Sequence, residues 1–78
     1  MEEMAVLKTV EKDNEWLQTN FEKVQKEHPN KFVAVSQGRV IVDGESAEDV
    51  VKEVERKGTN PKMTLIEFIP EKGLILIL

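Results

Sequence analysis

Residues 31–44 read KFVAVSQGRVIVDG, and the fold turns on how their side chains divide between two faces. Phe32 to Val35 and Val40 to Val42 are β-branched or aromatic apart from Ala34, which predicts two strands. Gly38 suits the reversal between them because it accepts a positive φ; both a two-residue loop and a bulged one satisfy the spacing. Along a strand, side chains alternate. Phe32 and Ala34 therefore point one way, Val33 and Val35 the other, and all four are apolar. Val40 and Val42 on one side, with Ile41 on the other, repeat the pattern. Strands of this kind want cover on both faces.

Downstream, DGESAEDVVKEVERKG (43–58) predicts an amphipathic helix. Asp43 and Gly44 turn the chain, Ser46 caps the helix, and Asp49 three residues later approximates a capping box. Ala47, Val50, Val51 and Val54 form the apolar stripe. Glu48 with Lys52 and Glu53 with Lys57 are i,i+4 pairs in the favourable orientation, and Gly58 supplies a left-handed stop. After TNPK, the run MTLIEFI (63–69) predicts a strand with Leu65 and Ile69 flanking Glu67 on one face and Thr64, Ile66 and Phe68 on the other. PEKG (70–73) then reverses the chain into Leu74–Leu78, five residues without a polar side chain.

Upstream, Asp13 is expected to cap a helix of about four turns on which Trp16, Leu17, Phe21, Val24 and His28 share a side. Pro29 ends it. In the first ten residues Met4, Leu7 and Val10 recur every three positions, but the segment also reads as a strand or an extension. The expected organisation is an N-terminal extension, 1–12, and one domain, 13–78. The expected fold is α+β, with element order α-β-β-α-β-β. It has a small mixed sheet of about four strands and two helices on one face. The strand–helix–strand unit places the second and third strands in one sheet and parallel.

Two helices on one face leave the other apolar face open. A second copy of the chain is the simplest cover, since closed two-fold pairing is the commonest assembly. A homodimer is therefore expected, with Trp16, Val33, Val35, Leu74, Leu76 and Leu78 as contact candidates. The tail can enter by edge pairing, by swapping, or by packing across its own sheet.

Composition narrows the function classes. The 78 residues carry 11 basic and 15 acidic side chains, a net charge of −4, and no cysteine, which excludes disulfides and thiolate metal sites. An acidic balance does not favour phosphate contacts, so nucleic acid is not an expected partner. Lys31, Arg39, Arg56 and Lys57 would have to align across two protomers to change that. No apolar run approaches the roughly 20 residues of a membrane span. The acidic start lacks a secretory leader, and residence in the cytoplasm is expected.

No catalytic or cofactor motif emerges. His28 is the single histidine and reads as a structural residue at a helix end. Asp43, Glu45, Glu48 and Asp49 lack the oxygen-ligand pattern of a calcium loop and suit turns and a first helical turn. Gly44 and Ser46, at a helix start, are candidates for an anion site without the glycine-rich loop and lysine of a phosphate cradle. Ser46 as a nucleophile would need His28, and its hydroxyl is committed to capping. Trp16, Phe21, Phe32 and Phe68 could stack on bases, but their periodicity favours a core.

The segment EWLQTNFEKVQKEHPNKFVAVSQGRVIVDGESAEDVVKEVERKG (15–58) resembles a small uncharacterised prokaryotic family, a domain of unknown function. In that family a tryptophan-bearing helix precedes a proline–lysine turn and a VAV-x-x-G-x-V hairpin, followed by another amphipathic helix and a strand. The matching residues are Trp16, Pro29, Lys31, Val33–Val35, Gly38, Val40 and Gly44, and the likeness extends over Glu15–Ile69. The resemblance implies no activity, cofactor or catalytic residue, and a cytoplasmic setting. The function expected is that of a non-enzymatic, homo-oligomeric accessory or protein-interaction module. Alternatives are a small-molecule or anion-binding module and, more remotely, a nucleic-acid-binding protein or a hydrolase.

Overall fold

A computed structural model describes residues 2–72. The hairpin forms as β1 (Lys31–Val35) and β2 (Val40–Gly44), joined by a two-residue turn. Gln37 and Gly38 both have positive φ, 53° and 70°, and Ser36 and Arg39 exchange backbone hydrogen bonds of 2.9 and 3.2 Å. That is a type I′ turn, whose twist matches the flanking strands. A bulge follows it: Val35 pairs with Val40 but Ala34 pairs with Val42, leaving Ile41 over. The extra residue breaks the alternation. Val40 and Val42 consequently join opposite sides of the sheet, contrary to their expected common face.

β3 (Leu65–Ile69) pairs antiparallel with β1, giving the order β2-β1-β3. β2 and β3 thus run in the same direction, separated by β1. Among the described residues three strands stand where about four were expected, and Leu74–Leu78, read as the fourth, lie outside them.

The helices correct the expected fold further. α1 spans Glu2–Thr19 and α2 spans Phe21–Glu27, so the order is α-α-β-β-α-β. α1 passes through residue 12 without a break. Asp13 lies inside it, not at its start. Asn20 separates the two helices: its side-chain amide and backbone N–H both donate to the Trp16 carbonyl at 2.9 Å, and its backbone departs from helical values. A polar residue that bonds its own backbone competes with helix propagation, a signal that apolar periodicity does not carry. α3 (Ala47–Arg56) follows the expected plan closely. Ser46 Oγ accepts from Asp49 N at 3.1 Å, Lys52 pairs with Glu48, and Gly58 takes φ 79°. Glu53 pairs with Arg56 rather than Lys57.

The layers decide the architecture. Leu17 of α1 and Val24 of α2 enclose Val33, Val35 and Ile69, with Trp16, Phe21, Val40 and Leu65 packed around them. Val50 and Val54 of α3 enclose Ala34 and Val42, with Phe32, Ile41 and Ile66 beside them. Successive residues of β1 feed the two clusters, so helices lie on both faces and not on one. The apolar second face does need cover, and the chain supplies it. The cause is the split of helices around the hairpin: α1 and α2 enter before β1, whereas α3 leaves after β2 on the other side.

A candidate interaction surface

α3 lies mainly over β2 and β1, leaving edge strand β3 thinly covered. Phe68 is 41% exposed, while its cross-strand neighbour Phe32 is half-buried. The rings meet at 5.1 Å between centroids and 59° between planes, a favourable tilted pair. Ile66, two residues before Phe68, continues the strip on the same face. Met63, in the short helical turn Pro61–Met63 before β3, is also exposed. On the opposite face, Glu67 stands exposed between Leu65 and Ile69. Sequence periodicity put Phe68 on this face but could not show that α3 would stop short of it.

The expected contact residues divide. Val33 and Val35 are fully buried within one chain and keep no surface for a partner. Trp16 is half-buried against the α1–α2 cluster, and its ring stands 3.6 Å from where a Gly38 side chain would begin. Leu74, Leu76 and Leu78 lie outside the described residues.

Some charged groups elsewhere pair with one another. His28, at the end of α2, approaches Asp43 on β2 at 2.8 Å between Nδ1 and Oδ2. Lys31 reaches Glu45 at 3.2 Å across the same end of the hairpin. The first contact fastens the exit of α2 to β2 and the second ties the start of β1 to the residue after β2, and no sequence motif announces them because the partners are brought together by the hairpin. The acidic set is thereby dispersed: Asp43 on His28, Glu45 on Lys31 and Glu48 on Lys52. Among the described residues no group of three metal-ligating side chains occurs.

Gly44 and Ser46 have structural work. A Cβ on Gly44 would sit 3.1 Å from Val50 Cγ2, so the missing side chain lets α3 approach β2. Ser46 is the cap, and Glu45, Glu48 and Asp49 surround it with negative charge, a poor setting for an anion. Lys31 and Arg56 are paired to acids, which interrupts the basic strip a nucleic acid would require.

Comparison with known proteins gives one family. The model of the family of unknown function DUF5678 matches residues 23–72, more than half of the chain. The chain belongs to DUF5678. The DUF5678 segment runs from within α2 through β3 and includes the whole described sheet, α3 and the Phe32–Phe68 strip, but begins after Trp16 and all of α1. This bears out the resemblance drawn from the hairpin and its flanking helices. No curated protein and no solved structure matches the chain. No helix among the described residues is long and apolar enough to cross a membrane.

Proposed function

We propose that this DUF5678 member is a non-catalytic interaction module that self-associates through the aromatic strip of β3. The supporting observation is the exposed Phe68 in a tilted pair with Phe32 on a sheet whose two faces carry helices. A two-fold axis would present the same strip from each copy, giving a self-complementary contact. Contact through the side-chain face suits β3 better than backbone pairing centred on its edge. Antiparallel pairing about Glu67 would set two carboxylates opposite each other, which is destabilising.

The strip is small beside the roughly 1,200–2,000 Å² of a stable complex, so on its own it supports a weak dimer. Leu74, Leu76 and Leu78, beginning six residues beyond Phe68, supply further apolar area in this reading. The setting proposed is the cytoplasm, in keeping with a cysteine-free chain. The pairing of His28, Asp43, Lys31 and Glu45 with one another supports a structural rather than a catalytic use of those groups.

Light scattering over a dilution series tests the proposal. The natural chain should shift from dimer to monomer on dilution, Phe68→Asp should stay monomeric at every concentration, and removal of residues 74–78 should weaken association. A natural chain that stays monomeric throughout, or a Phe68→Asp chain that dimerises unchanged, overturns it.

A further inference from the structure

Arg39, Val40, Ile41, Lys57 and Thr59 line a cleft of about 470 Å³. Arg39 immediately precedes β2 and Lys57 immediately follows α3, and both are exposed, so a ligand enters without any movement of the chain. Neither pairs with an acid among the described residues; Glu53, the expected partner of Lys57, takes Arg56 instead. The turn after α3 fixes the backbone on that side. The N–H groups of Lys57 and Thr59 donate to the carbonyls of Glu53 and Val54 at 3.0 and 3.1 Å, around Gly58 at φ 79°. On the β2 side the wall includes Ile41, the extra residue of the bulge, and bulges often stand beside sites.

Acids outnumber bases 15 to 11 in the chain, yet among the described residues no acid lines this cleft. The larger groove beside α2, by contrast, mixes Lys23, Lys26 and Lys72 with Glu22 and Glu71 and favours neither sign. Two like charges at one cleft repel, and a bound dianion would offset that repulsion. We propose that the cleft binds a phosphoryl group, the dianionic end of a phosphomonoester, with Arg39 and Lys57 as its cationic contacts. At neutral pH such a group carries about −1.5 to −2 charges and three acceptor oxygens. A guanidinium fork takes two oxygens at once, an ammonium supplies a point charge, and the hydroxyl of Thr59 is a further donor. The C-terminus of α3 bears partial negative charge and both cations stand in water, which limits affinity to about the millimolar range. The cleft is at the β2 edge of the described sheet, whereas Phe68 lies on β3 at the other, so binding does not rest on self-association.

A phosphoryl group can belong to a small molecule or to a phosphorylated segment of another protein, and the test separates them. The full chain labelled with ¹⁵N is titrated with methyl phosphate and with the peptide Gly-Gly-Ser-Gly phosphorylated on its serine. The backbone amides of Val40 and Thr59 report binding, and the Phe68 amide is the distant reference. Sodium chloride at matched ionic strength and the unphosphorylated peptide are the controls.

Saturable shifts at Val40 and Thr59, without a matching shift at Phe68 or with either control, support the site. Saturation by methyl phosphate assigns a small phosphomonoester; saturation by the phosphopeptide alone assigns a phosphorylated protein. Arg39→Gln and Lys57→Gln, both at exposed positions, should keep the fold and each weaken binding at least about threefold, and the double variant should abolish saturation. Lys62→Gln removes the same charge at an exposed lysine outside the cleft and should change affinity by less than about 1.5-fold. Shifts absent or linear up to about 20 mM, shifts reproduced by either control, or Arg39→Gln and Lys57→Gln chains that bind no more weakly than Lys62→Gln overturn the proposal. The two cations would then be solvated surface charge alone.

Discussion

Gln37 and Gly38 both take left-handed backbone at the hairpin tip, yet only one of them is built for it. Asparagine tolerates this region better than glutamine and is favoured in the first position of a type I′ turn. Gln37→Asn should therefore stabilise the protein by about 0.5–1 kcal/mol, a gain that urea unfolding would resolve. Gly38→Ala should cost about 1 kcal/mol, because φ 70° disfavours any Cβ although the nearest Trp16 atom at 3.6 Å leaves room for one. Equal stability for Gly38→Ala would show that the turn relaxes to another type. The glycine's role was legible in the sequence, since a turn between two β-branched runs needs such a residue. Asp13 was not. Its place before an apolar helical run suggested a cap, and only the return of the hairpin against α1 turned its carboxylate toward Gly38.

At the level of elements, the helices contribute through what they cover. Ile69 of β3 is fully buried beneath the cluster containing Leu17 and Val24. Ile69→Ala should lose about 2–5 kcal/mol, from lost transfer energy and the cavity left behind. The ion pairs on α3 are a contrast. Lys52 and Glu48 are mostly exposed, so Lys52→Ala should change stability by no more than about 0.5 kcal/mol and lose even that in high salt. Paired urea titrations at low and high salt check both; a loss above about 1 kcal/mol for Lys52→Ala would mean that the aliphatic stem packs where the structure leaves it open. α3 was readable almost residue by residue because its cap, stripe and stop are local signals. The bulge at Ile41 was not: Val-Ile-Val reads the same whether or not one residue is left unpaired, and the choice depends on which helix each valine meets.

For the whole molecule, enclosure of both sheet faces within one chain separates folding from association. Val33, Val35, Val50 and Val54 are all shut inside a single copy. Phe68→Asp should consequently give a folded monomer, with the far-ultraviolet dichroism of the natural chain and a single cooperative unfolding transition. Its melting temperature should not depend on protein concentration, whereas that of the natural chain should rise with concentration if dimerisation stabilises it. An unfolded Phe68→Asp chain would show that the aromatic pair holds the sheet together and is not a spare surface. The expectation of an open second face failed for one reason: the helices before and after the hairpin were placed on one face, whereas they pack on opposite faces.

Local chemistry in the sequence determined the hairpin, the capped third helix, the third strand, the two-sided character of β1 and membership of a family without a known activity. Each follows from side chains close in sequence, where propensity, capping and alternation act over a few residues. The tertiary structure alone decided which helix covers which face, where the bulge falls, how His28 finds Asp43, and that Phe68 is left uncovered while Asp13 is not. Those outcomes depend on segments distant in sequence competing for the same apolar surface, and that competition is settled only when the whole chain packs.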